Sequence, residues 1–222
     1  KYGSSEGLNH FADIHAAAGD EAGTTIALRT VDSAIGVALA GEFRVPAATR
    51  RTARADDDRV AETLFAPLRP GKAVTFEKRV AFFTSRDTDD PPAAAAGELD
   101  ATRGVSVSRL ASSHARAWAR VWRDADVRIE GDDDAQRLLR ANIFHLVNTG
   151  HPDDDRVSIA AKGLHGNGYK GCVFWDTEIY MVPVFTYAWP EAARALLQYR
   201  YHYLPDALAN ARELGLAGAK YP

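Results

Sequence analysis

Asp89-Asp90-Pro91-Pro92-Ala93-Ala94-Ala95-Ala96 is where the chain changes character. Two successive prolines remove two backbone donors and fix two φ angles, so they end a strand and mark a boundary. Before them, from Thr24 to Ser85, hydrophobic residues recur with period two. Ile26 and Leu28 alternate with polar or small neighbours, then Ile35, Val37 and Leu39, then Val74, Phe76, Val80 and Phe82. Asp32-Ser33 and Pro70-Gly71 supply turn residues between the runs. This pattern predicts half-buried antiparallel strands, with residues 1–92 forming an antiparallel β-sandwich that carries no chemical constellation of its own.

After the prolines the period becomes helical. His114, Trp118 and Trp122 lie four apart and give a helix near residues 106–123 one aromatic face. That stripe reads as packing, docking the two halves of the chain through a helical linker over residues 93–125. Asp132-Asp133-Asp134 precede Leu138, Leu139, Asn142, Ile143, Leu146 and Val147, an amphipathic helix with carboxylates at its positive end and Gly150 closing it. Pro190 suits the first turn of a helix through Ala192, Leu196, Tyr199 and Tyr203; Pro205 breaks it, and a shorter helix ends near Gly215. Residues 126–222 therefore read as the start of a helical domain.

Bulk properties remove several function classes. Among 222 residues, 27 Lys and Arg against 30 Asp and Glu leave a net charge of −3, which excludes nucleic-acid binding by bulk charge. The arginines from Arg116 to Arg123 read as the wet face of a helix. Cys172 is the only cysteine, so no intrachain disulfide forms. No apolar run approaches the roughly 20 residues of a membrane span, and no signal peptide opens the chain, so no membrane partner is expected and the predicted location is cytoplasmic. The single methionine is Met181, the chain begins Lys1-Tyr2-Gly3, and it stops at Tyr221-Pro222 directly after a helical segment. It reads as a piece of a longer polypeptide. The triplets Asp56-Asp57-Asp58, Asp132-Asp133-Asp134 and Asp153-Asp154-Asp155 lack the spacing of a calcium loop and read as solvated turns or helix caps, so no metal is expected.

Chemistry concentrates between Lys162 and Glu178. Gly163, Gly166, Gly168 and Gly171 permit tight turns, but no βαβ context supports a dinucleotide or phosphate loop. Phe174-Trp175-Asp176-Thr177-Glu178 follows. An aromatic beside a carboxylate suits sugar recognition: the ring covers the C–H face of a pyranose and the carboxylate accepts from adjacent hydroxyls. The competing reading is a buried Trp175 with Asp176 capping a helix that starts at Thr177.

Gly163-Leu164 through Tyr169, Gly171, Phe174-Trp175-Asp176-Thr177-Glu178-Ile179-Tyr180, Pro183 and Leu197-Gln198-Tyr199-Arg200-Tyr201-His202 resemble glycoside hydrolase family 65, the family of maltose, trehalose, kojibiose and nigerose phosphorylases. Ser85-Arg86-Asp87, the His114, Trp118 and Trp122 stripe, Ile129-Glu130-Gly131-Asp132 with Gln136, and Arg140 to Leu146 match in the same order. The resemblance covers roughly residues 70–222 and is weaker before. It implies a β-sandwich, a helical linker and the first helices of an (α/α)6 barrel. It also implies an inverting enzyme in which inorganic phosphate cleaves an α-glucosidic bond to give β-glucose 1-phosphate and glucose. Alternatives are an α-glucoside hydrolase of the same fold and a non-catalytic carbohydrate-binding scaffold. Trp175 and Asp176 carry over as glucose-binding residues, with Phe174 flanking and Tyr169 and Cys172 as lesser candidates. Glu178 does not match the segment bearing the general acid, which the resemblance puts beyond Pro222, so the expected fragment is inactive alone and holds no catalytic residue. The partners implied are a small disaccharide and phosphate, with no organic cofactor; homodimers are common in the family. Many members carry histidine where this chain has Cys172, so a linkage preference that depends on that histidine is not carried over.

Overall fold

A computed structural model describes residues 10–19, 23–163 and 168–221. The part of the glycine-rich loop from 164 to 167 lies outside the described residues, as do both chain ends. The chain forms two compact units, one running to Val107 and one from Ser108 onward.

Among the described residues, the first unit holds six strands, β1 (Phe11–Gly19), β2 (Gly23–Thr30), β3 (Gly36–Arg44), β4 (Arg50–Ala55), β5 (Val60–Phe65) and β6 (Glu77–Thr84), then helix α1 (Pro91–Thr102). Pairing is antiparallel throughout, in a four-stranded sheet β1-β2-β3-β6 and a two-stranded sheet β4-β5. The smaller sheet packs on β1 and β2, giving the expected sandwich, while α1 packs on β3 and β6. The alternation is real, but on β6 its buried side is the reverse of the hydrophobic one. Val80 and Phe82 are 52% and 59% exposed, whereas Ala81 and Arg79 are buried. Alanines at 38, 40 and 81 leave room for α1, whose Ala95 and Leu99 complete a small core with Phe83. Arg79 is buried because every arm of its guanidinium is used. It pairs with Glu77, donates to the Thr102 carbonyl and donates to the Val105 carbonyl at 2.5 Å. Val74 and Phe76 precede the strand rather than extend it. Asp90 Oδ1 accepts the Ala93 N–H at 3.1 Å and Pro91 occupies the first turn, so the quoted boundary is a capped helix start.

The second unit is helical: α2 (Val107–Ala125), α3 (Asp133–Thr149), a 3-10 turn (Gly168–Gly171), a π turn (Thr177–Met181), α4 (Val182–Ala188), α5 (Pro190–His202) and α6 (Leu204–Glu213). Asp132 caps α3 by accepting from the Asp134 and Ala135 N–H groups at 3.1 and 2.9 Å. Trp118 stacks on Phe144 of α3 with centroids 4.9 Å apart, so the aromatic stripe packs α2 against α3. Arg140 grips Asp126 through two bonds of 2.8 and 2.6 Å. Those hydrogen bonds hold the Asp126 carboxyl below the usual carboxylate range and raise Arg140 in turn. Ile159, Val182, Phe185, Ala192, Ala193 and Leu196 form the core, flanked by Leu146, Met181 and Trp189. Gly150 ends α3, but with φ −78° it is not a left-handed cap. Its missing side chain is what matters: a Cβ there would lie 2.8 Å from Phe185 Cε1. Gly215, at φ 67°, does close α6 in the left-handed way expected.

Candidate functional site

The candidate wall lies on the strip between the 3-10 turn and α4. Tyr169 (φ 60°) and Gly171 (φ 73°) both adopt left-handed backbone, which folds the loop back on itself. The Cys172 N–H donates to the Tyr169 carbonyl at 2.9 Å, and the Cys172 carbonyl accepts from Ala161 at 3.3 Å. Cys172 therefore anchors the loop through its backbone, while the residue itself is exposed. The Tyr169 ring meets Phe174 edge to face at 5.6 Å, and Lys162 Nζ sits 5.7 Å from the same ring.

Phe174 is half-buried, and Trp175 beyond it is 58% exposed. Within this chain the indole is not packed into the helical core. Tyr180 lies beside it, with centroids 6.3 Å apart. Asp176 is half-buried, already helical in backbone (φ −53°, ψ −36°), and makes no capping hydrogen bond. A cap requires an extended residue whose side chain turns back to the first helical N–H groups; Asp176 has neither property. Asp176 therefore does not cap the turn that begins at Thr177.

Thr177 is what anchors the segment. It is wholly buried, and its Oγ1 donates to the Ile159 carbonyl at 2.8 Å. The turn it begins is wide, with the Val182 N–H returning five residues to the Thr177 carbonyl. Such π turns concentrate at functional sites.

Glu178 is fully committed elsewhere. Arg200 of α5 donates Nε to Oε1 at 2.8 Å and Nη2 to Oε2 at 2.9 Å, and the same Nη2 reaches the Phe174 carbonyl at 2.8 Å. Arg200 had no local signal marking it, because its partners lie 22 and 26 residues away. Tyr199, next to it, has its phenol pushed up by burial and by neighbouring Tyr203, so it stays neutral. An apolar cavity of about 540 Å³ lies elsewhere, lined by Val121, Ile143, Leu146, Phe185 and Trp189 among others. None of Phe174, Trp175 and Asp176 lines it, and its walls are helix faces of the core type.

The sequence profile of the glycosyl hydrolase family 65 N-terminal domain matches residues 2–121, and that of the family's central catalytic domain matches residues 140–222. The chain belongs to glycosyl hydrolase family 65. It is 45% identical to a kojibiose phosphorylase from Thermoanaerobacter brockii over 153 residues, covering 68% of this chain and 20% of that protein. To an alpha,alpha-trehalose phosphorylase from the same organism it is 40% identical over 154 residues, again 68% of this chain and 20% of the relative. The aligned part of the chain thus spans about a fifth of the length of these relatives. A solved structure of a putative kojibiose phosphorylase from the human microbiome superposes with a TM-score of 0.75 at 22% identity, over 96% of this chain and 28% of the other, which shows the shared fold. The N-terminal profile match begins at residue 2, well before the region where the motifs alone were distinct. Among the described residues, no helix is long and apolar enough to cross a membrane.

Proposed function

We propose that this chain forms the glucose-binding wall of an inverting disaccharide phosphorylase, with Trp175 and Asp176 holding the sugar and Phe174 flanking it. A phosphate oxygen would attack the anomeric carbon as the α-glucosidic bond breaks, the leaving oxygen would take a proton, and β-glucose 1-phosphate and glucose would result. Phosphate is already an anionic nucleophile, so this chemistry needs a general acid but no base to activate water. The observation that carries the reading is the exposed Trp175 ring beside an Asp176 carboxylate that caps nothing. The phosphorylases among the relatives favour phosphate over water as the acceptor.

The test uses the full-length protein that carries this chain, incubated with kojibiose, trehalose, nigerose and maltose, with and without phosphate. One of the four should give β-glucose 1-phosphate only when phosphate is present; phosphate-independent glucose release would make the protein a hydrolase. Asp176→Ala should lower kcat/KM at least about tenfold, because two charge-assisted hydroxyl contacts are together worth more than the roughly 1.4 kcal/mol of one decade. An unchanged kcat/KM would remove Asp176 from the sugar site.

A further inference from the structure

We propose that Arg200 is a positioning residue for the sugar-binding wall: it sets the orientation of Trp175 and Asp176 by gripping the peptide that enters them. The inference rests on the reading of those two residues as that wall. Arg200 Nη2 donates at 2.8 Å to the Phe174 carbonyl, the carbonyl of the peptide whose nitrogen belongs to Trp175. On the other side, the Trp175 carbonyl accepts the Ile179 N–H at 3.2 Å. Both peptides flanking the indole are therefore tied, one to α5 and one to the π turn. Without Arg200, the first could rotate and swing the ring.

The guanidinium is itself held from several sides. Glu178 takes it in the two-pronged geometry that suits a planar fork, at 2.8 and 2.9 Å. The Tyr221 ring lies 5.7 Å and the Tyr199 ring 5.9 Å from its central carbon, and the Tyr221 hydroxyl donates to the Arg200 carbonyl at 2.9 Å. Its side chain is 13% exposed, so water competes little for these bonds. Only arginine supplies this set. A lysine amine is a single point donor on a flexible stem and cannot hold both carboxylate oxygens and the carbonyl in one plane. Glu178 is the anvil of the clamp, which explains a carboxylate so near the sugar wall that is unavailable for proton transfer.

An ion pair that merely fastens α5 to the π turn would be deleted independently of the wall; a positioning residue would not. The experiment is a double-mutant cycle on the full-length protein, reading disaccharide affinity by calorimetry and KM against kcat, with Tm recorded beside them. Arg200→Met should weaken sugar binding by about ten- to a hundredfold, the range expected when binding groups shift by a fraction of an ångström to 1 Å. Arg200→Lys should fall between the two. Combined with Asp176→Ala, Arg200→Met should add less than its own penalty, since only the Trp175 ring is then left to be misplaced. Affinity within about twofold of wild type in Arg200→Met, or penalties that multiply in the double variant, would overturn the proposal. If Arg200→Met does not fold, Arg200→Lys and Glu178→Gln run the same cycle with the same two outcomes. Should Asp176→Ala leave affinity unchanged, the wall itself is misassigned and the role of Arg200 falls with it.

Discussion

Replacing Gly150 by alanine puts a methyl group where the end of α3 meets the Phe185 ring. The new Cβ would stand 2.8 Å from Cε1 and 3.0 Å from Cζ, against an optimum of about 3.5–4.0 Å for two carbons. Phe185 is 1% exposed and enclosed by Ile159, Val182, Ala192 and Leu196, so it has little room to retreat. Overpacking of this kind costs about 1–3 kcal/mol. Alanine is at ease at φ −78°, ψ 138°, so the backbone adds no strain, and the loss of glycine's freedom in the unfolded chain returns about 0.4–1 kcal/mol. The net loss is about 1 kcal/mol, or about 2–4 °C in Tm for a chain of this size. Urea unfolding followed by tryptophan fluorescence suits the test, because Trp189 lies 6.5 Å from the Phe185 ring. Adding Phe185→Leu should make the double variant lose less than the sum of the two single changes, since the smaller side chain clears the contact. A Gly150→Ala protein as stable as wild type would show that the helix end relaxes freely and that the close approach is not why glycine stands there.

Thr177→Val should cost about 1–3 kcal/mol in the same unfolding assay, because it keeps the shape and leaves the buried Ile159 carbonyl without its donor. A change no larger than the roughly 0.5 kcal/mol of a surface substitution would count against Thr177 as the anchor of the strip. Asp126 makes a pH prediction. Its folded carboxyl titrates below the usual value of about 3.9, so the pair with Arg140 contributes fully above that value and is lost as pH falls through the lower folded one. Asp126→Asn should therefore flatten the decline of Tm with acid below about pH 4, and an equally steep decline in that variant would place the acid-labile group elsewhere.

What the sequence disclosed depended on how local the cause was. Asp90 and Pro91 announced α1 because a cap and a first-turn proline act within three residues. Asp132 announced α3 for the same reason. The period-two runs disclosed strands but not which face is buried. On β6, burial follows the demand of α1 for a small partner at Ala81, opposite Ala40 of β3, and a charged Arg79 goes in because carbonyls 23 and 26 residues away receive it. Phe174, Trp175 and Asp176 were legible as a group since they are consecutive, and the motif around them named the family. Whether Asp176 capped a helix was undecidable there: the answer lay in a backbone angle. Arg200 was quoted only as part of a motif, because its meaning resides in partners on another helix.

The π turn between Asp176 and the core has a consequence for how this region can change. One extra residue in a helical turn shifts everything after it by about 100° around the axis. Asp176 stands before that phase shift; Val182 and Phe185, which seat the segment in the core, stand after it. The angle at which Asp176 leaves the helix axis and the angle at which the hydrophobic anchors enter the core are thus set separately. Deleting a single residue between Thr177 and Met181 would restore an ordinary turn and force a choice between the two, so the length of this stretch is constrained separately from the identities of Thr177 and Glu178.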